Sequence, residues 1–153
     1  MEKFLIKGPS KIKGHVNISG SKNAALPILA ATLLFDKPVT IGNLPRVKDI
    51  DTMLNLLRSL GCKIQLSKNK KIAKISKTNK KKVFASYSLV KTMRAGILVL
   101  GPLLAKFGFA KVSLPGGCAI GTRPIDIHLK ALSKLGVKYK INQGYVIASA
   151  PYG

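Results

Sequence analysis

Three short stretches carry residue types suited to chemistry on anions. The first is VSLPGGCAIGTRPID (112–126), where Cys118 lies among glycines, five residues before Arg123. A free thiol ionises near pH ~8.5. Nearby Lys or Arg lowers that value and makes the sulfur more reactive. Arg123, the glycine amides and the general positive charge of the chain can all act so. A glycine-rich loop can also fold over a bound anion and exclude water. The plainer alternative is that Cys118 is an incidental small residue. The second stretch is ISGSKNAALP (18–27). A helix starting here would offer free N–H groups and the positive end of its dipole to a phosphate or carboxylate. Lys22 adds a full charge, and Asn23 adds an amide that donates and accepts. The P-loop spacing GxxxxGK[ST] is absent, and a capped helix with a surface lysine explains the stretch equally well. The third is SLVKTMRAG (88–96). On a helix, Lys91 and Arg94 share one face. An arginine that borders a buried helix needs a partner, an anion or water.

Two other residues read as structural. Cys62, in LGCKI, sits at a helix-to-strand junction, and His128 lies inside a helical segment. The cysteines are 56 residues apart and form neither a metal-ligand pattern nor a disulfide framework.

The elements that must position these residues alternate between strand and helix. HVNIS (15–19) is a strand candidate. Residues 22–34 form a helix with Ser21 as N-cap and Pro27 tolerated in its first turns. PVTIGNL (38–44) is a strand running into a turn. DIDTMLNLLRSLG (49–61) is an amphipathic helix, with Ile50, Met53, Leu54, Leu57 and Leu60 at helical spacing and Gly61 as its stop. CKIQLS and KIAKIS then make a hairpin. The order restarts with SLVKTMRAGILVLGPLLAKFG (88–108), a helix broken near Gly101 and Pro102. AKVSLP is a strand, RPIDIHLKALSKLG (123–136) a helix, and VKYKIN with YVIASA a second hairpin.

Aligning the halves exposes a repeat. IDTMLNLLRSLGCKI (50–64) matches IDIHLKALSKLGVKY (125–139) at an offset of 75 residues. VTIGNLP matches VSLPGGC, and AALPILAATLL matches AGILVLGPLLA. The chain thus holds two copies of an α-β-α-β-β unit. Cys62 corresponds to apolar Val137, which supports its structural role. The copies differ most between strand and helix: the first has the short GNLPRVKD, the second the longer PGGCAIGTRP. An enlarged loop at an equivalent position is where function tends to be grafted.

Composition bounds the rest. A chain of 153 residues with 46% hydrophobic content can bury one real core. The N-terminus MEKFLIKG lacks the apolar run of a signal peptide. The longest apolar runs, AALPILAATLLF (24–35) and AGILVLGPLLA (95–105), fall short of the roughly 20 residues that span a membrane. These features point to a reducing, cytoplasmic setting without membrane association. The net charge of +22 invites a nucleic-acid reading. That charge is built from 23 lysines and only four arginines, and base readout favours arginine. The cluster SKNKKIAKISKTNKKK (67–82) has no aromatics for stacking and alternates like a solvated hairpin. A lysine-biased surface accounts for it, with non-specific polyanion binding as the alternative.

ISGSKNAALPIL, YSLVKTMRAGI and above all VSLPGGCAIGTRPIDIH resemble the enolpyruvyl transferases. The likeness runs from GPSKIKG (8–14) to the end of the chain, and the cysteine in PGGCxIGxRPxD points to the branch acting on UDP-N-acetylglucosamine. The resemblance implies transfer of the enolpyruvyl group of phosphoenolpyruvate to the 3′-hydroxyl of that sugar nucleotide, with release of phosphate and no metal or cofactor. It implies that Lys22 holds phosphoenolpyruvate, with Asn23 beside it on substrate. Arg94 and Arg123 would line the same anionic site. Pro124, Ile125, Asp126 and Ile127 would hold the uracil-nucleotide end. Cys118 would protonate the methylene carbon or carry a covalent phosphoenolpyruvate adduct. The implied fold is an inside-out α/β barrel domain, with helices packed within a ring of sheets. Residues 21–153 would form about two of its three repeat units, and residues 1–20 would be a strand segment belonging to a second domain. That second domain would carry the remaining catalytic residues, so this chain would form one wall of the cleft and be weak or inactive alone. A non-catalytic UDP-sugar or polyanion-binding module is the alternative.

Overall fold

The computed structural model describes residues 3–9, 11–77, 82–116 and 125–151. Its first helix, α1 (Lys22–Ala31), continues as a 3-10 turn over Thr32–Leu34. β1 (Val39–Ile41) leads to α2 (Lys48–Ser59), and β2 (Cys62–Leu66) and β3 (Ala73–Lys77) form a hairpin. The second half begins with the short β4 (Phe84–Ala85) and α3 (Tyr87–Val90). A 3-10 segment (Arg94–Val99) runs directly into α4 (Leu100–Phe107). β5 (Phe109–Ser113), α5 (Asp126–Lys134), β6 (Lys138–Asn142) and β7 (Tyr145–Ser149) complete the order.

The repeat is visible in the hydrogen bonding. The first sheet has order β1-β3-β2, all antiparallel. The second has β5-β7-β6 in the same antiparallel arrangement, with β4 added parallel to β5. α2 and α5 end alike: Gly61 and Gly136 both take positive φ, at 93° and 88°, a conformation open to a residue without Cβ. Gly61 N–H donates to Arg58 O and Gly136 N–H to Ser133 O, equivalent carbonyls in the two copies.

Helices fill the interior and the sheets cover them. α1 packs against α2 and against the 3-10 segment, and α4 packs against the 3-10 turn that ends α1. Leu29, Leu33, Leu57, Val99 and Leu103 are fully enclosed. The strands present alternate residues to this core, as period-2 geometry requires. Ala73 and Ile75 of β3, Ala110 and Val112 of β5, and Val146 and Ala148 of β7 are buried. The lysine-rich hairpin follows the same rule, with Lys74 turned to solvent between Ala73 and Ile75. Four residues of the cluster, 78–81, lie outside the described residues.

Two sequence expectations are corrected. HVNIS (15–19) is not a strand. It pairs with no strand among the described residues, and Val16 and Ile18 are exposed. A strand is stabilised by its neighbour's ladder, whereas this segment is held by the Asn43 side-chain amide donating to Ile18 O at 3.4 Å. The helix of 88–108 breaks over 91–93, not at Gly101-Pro102. Pro102 is the third residue of α4, where its fixed φ fits the first helical turn.

Candidate functional site

Lys22 is the first residue of α1 and Asn23 the second, both exposed. Ser21 occupies the N-cap position, but its side chain makes no capping bond, so the amides of the first turn are not closed by it. Lys22 Nζ lies 2.9 Å from Asp49 Oδ2, in the first turn of α2. Sequence reasoning missed Asp49. The repeat held the signal: in the α2/α5 alignment Asp49 falls opposite Pro124, inside the segment singled out in the second copy.

Arg94 opens the 3-10 segment that packs on α1. Aligning the buried helices places Arg94 opposite Asn23, so the two candidates hold equivalent starts in the two copies. Arg94 is exposed to solvent, so it is not buried without a partner. Lys91 and Arg94 do not share a continuous helix face, because the chain leaves α3 after Val90 and restarts at Arg94. The Lys91 ammonium lies over the Tyr87 ring, 5.5 Å from its centroid.

Backbone contacts tie each strand-to-helix connection to the start of its buried helix. A Cβ on Gly20 would overlap the carbonyl oxygen of Asn43. A Cβ on Gly116 would stand 2.5 Å from the carbonyl oxygen of Lys91. The repeat alignment places Asn43 opposite Gly116 and Gly20 opposite Lys91. The same close approach therefore recurs in both copies, and each copy places its glycine on a different side of it. In the second copy this contact fixes the base of the cysteine loop. Beside that base is a cavity of about 390 Å³, bordered by Tyr87, Leu114, Pro115, Gln143 and Tyr145.

Cys118, Arg123 and Pro124 lie outside the described residues. Just beyond them, Ile125 is buried and anchors the start of α5. Asp126 is the first residue of α5, where a carboxylate suits the helix dipole. Asp126 and Ile127 are both exposed. Cys62 is buried, as is its counterpart Val137, in line with a structural role. His128 lies within α5 on its exposed side. Among the described residues, no group of three or more His, Cys, Asp or Glu can hold a metal, and no helix is long and apolar enough to cross a membrane.

The arrangement presents cations and open amides at the starts of packed helices, a geometry suited to phosphate and carboxylate groups. Comparison with known proteins bears on the family. The family model described as EPSP synthase (3-phosphoshikimate 1-carboxyvinyltransferase) matches residues 6–152. A UDP-N-acetylglucosamine 1-carboxyvinyltransferase from Pelagibacter ubique is 70% identical over all 153 residues, and one from Aliarcobacter butzleri is 55% identical over the same span. The chain spans 36% of the length of each of these relatives. Among solved structures, the enolpyruvyl transferase NikO from Streptomyces tendae superposes with a TM-score of 0.74 at 20% identity, over 94% of this chain and 31% of that one. EPSP synthase from Acinetobacter baumannii superposes with a TM-score of 0.61 at 14% identity, over 90% and 32%. The doubled α/β unit, the truncated barrel architecture and the match along nearly the whole chain have one reading: this chain belongs to the EPSP synthase family, the enolpyruvyl transferases.

Proposed function

We propose that this chain forms one wall of the active site of a UDP-N-acetylglucosamine 1-carboxyvinyltransferase, the enzyme of the first committed step of peptidoglycan synthesis in the cytoplasm. The single observation that carries the reading is the 70% identity, along the entire chain, to a relative of that name.

In the reaction, the sugar 3′-hydroxyl gives up its proton to a base as its oxygen bonds to C2 of phosphoenolpyruvate, while C3 gains a proton. The tetrahedral adduct then loses a proton from C3 and expels phosphate, which restores the double bond on the new ether. Two anionic substrates must be brought together, and carbon must be protonated away from water. Lys22 holds phosphoenolpyruvate and Asn23 contacts substrate beside it. Arg94 and Arg123 contribute to the anionic site. Pro124, Ile125, Asp126 and Ile127 receive the uracil nucleotide. Cys118 delivers the proton to C3 or carries a covalent adduct. The exposed start of α1, with uncapped amides and a lysine, supports this assignment.

Residues 21–153 constitute about two of three repeat units of one domain, and residues 1–20 pack with a second domain. The exposed apolar side chains Phe4, Leu5, Ile6, Ile12, Val16 and Ile18 support the second statement. Exposed Leu135, just after α5, and Ile141 on β6 support the first, since a further unit would cover them.

The test is a chimera in which residues 1–153 replace the matching segment of the Pelagibacter ubique relative. Phosphate release with phosphoenolpyruvate and UDP-N-acetylglucosamine is expected from the chimera and not from the 153-residue chain alone. Lys22→Ala and Cys118→Ala should each abolish it. A folded chimera without turnover overturns the reading, and turnover by the chain alone overturns the one-wall assignment.

A further inference from the structure

Lys22 occupies an electrostatically disfavoured position. The first turn of a helix favours acidic side chains and opposes cations, by about 0.3–1 kcal/mol at an exposed site. α1 has no acidic residue in its first turn and no side-chain cap from Ser21. The compensating charge comes from another element. Asp49, in the first turn of α2, meets the Lys22 ammonium at 2.9 Å. Both side chains stay open to solvent, at 47% and 35%, so the pair contributes little to folding stability. The surrounding backbone is nevertheless built to hold them together. Gly20 meets the Asn43 carbonyl at a distance that leaves no room for a Cβ, and the Asn43 amide donates to Ile18 O. These contacts tie the segment entering α1 to the turn entering α2.

We infer that Asp49 is a positioning residue for the Lys22 ammonium, holding it aimed for the phosphate of phosphoenolpyruvate. The inference rests on the functional reading above. An ammonium has three donors, so Lys22 can keep one on Asp49 and turn another to the phosphate. The counterpart of Asp49 in the second copy is Pro124, which carries no charge, so the device belongs to the first copy alone.

The sign of one measurement separates this role from simple electrostatics. Removing a carboxylate near an anion site strengthens the positive field and should tighten anion binding. Removing a positioning carboxylate should weaken it. In the chimera, Asp49→Asn should raise KM for phosphoenolpyruvate about three- to fivefold, the scale of an exposed ion pair. KM for UDP-N-acetylglucosamine should be unchanged, and Asp49→Glu should recover part of the loss. A KM for phosphoenolpyruvate that falls or stays constant overturns the inference. The ion pair is read independently in the 153-residue chain, by NMR of lysines labelled with 13C by reductive methylation. The Lys22 signal, assigned through Lys22→Arg, should move in Asp49→Asn and not in Lys48→Gln. An inactive chimera with an Asp49-dependent Lys22 signal overturns the functional reading, and with it the catalytic purpose, while leaving the pair intact. A Lys22 signal indifferent to Asp49 overturns the pair itself.

Discussion

α2 and α5 are the same helix in sequence pattern and different helices in the folded chain. Both carry Ile-Asp at or near the start and leucines at matching positions, and both are followed by Leu-Gly. α2 buries Ile50, Met53, Leu54, Leu56 and Leu57, whereas α5 buries only Leu129. The last leucines give the sharpest contrast: Leu60 is 3% exposed and its counterpart Leu135 is 80% exposed. α2 has α1 beside it and the second copy's α3 and 3-10 segment against it, while α5 packs chiefly on its own hairpin. An amphipathic pattern specifies that a helix has an apolar stripe. Only a neighbour turns that stripe into core. Part of the difference is nevertheless written in the sequence, since His128 and Ala131 stand where α2 has Met53 and Leu56. Two positions that α2 buries fully are thus held in α5 by a polar and a small residue.

The largest expected effect tests this contrast directly. Leu60→Ala should destabilise the chain by about 2–4 kcal/mol, through lost burial and a residual cavity. Leu135→Ala should change stability by less than about 0.5 kcal/mol, as an open surface substitution. Urea unfolding followed by far-UV circular dichroism measures both, and equal effects would break the comparison.

The second contrast concerns the shared backbone approach at the two helix starts. Gly20→Ala and Gly116→Ala should each cost about 1–3 kcal/mol, as overpacked sites do. Gly20 should be the more sensitive, because its added Cβ meets the Asn43 carbonyl more closely than that of Gly116 meets Lys91. The same unfolding assay orders them, and the reverse order would mean that the loop base in the second copy is the more rigid joint.

The smallest effect separates the hairpins. β2 and β3 are joined by residues 67–72, held by Ser67 and Asn69 side chains bonded to the backbone of Ile72 and Lys71. β6 and β7 are joined by Gln143 and Gly144 alone, both at positive φ. That is the geometry of a type I′ turn, in which Asn precedes Gly more comfortably than Gln does. Gln143→Asn should therefore stabilise by about 0.5 kcal/mol, a fraction of the roughly 1–2 kcal/mol that left-handed backbone costs a side chain. A rise of the thermal midpoint of a degree or more reads it, and a fall would mean that Gln143 has a role beyond the turn.

Much of the site is legible in the sequence, for local reasons. Lys22 and Asn23 open α1 because a strand-like Gly-Ser ending precedes an apolar helical run. Asp126 and Ile127 open α5 because the helical period starts there. Asp49 is not legible by itself, because nothing local links it to a residue 27 positions earlier. The break at 91–93 escapes the sequence for a related reason: Gly-Pro looks like a stop, yet its meaning depends on where the turn before it begins.

The sequence by itself determined the alternation of helices and strands, the repeat, the solvated lysine hairpin and the family. Each is a matter of period, spacing or residue identity, which a linear chain carries in full. The tertiary structure alone decided which of two matching helices becomes core, which carboxylate reaches Lys22, and that residues 15–19 find no strand partner among the described residues. Burial, ion pairing and strand formation are relations between distant segments, and their free energy exists only when the partner is in place.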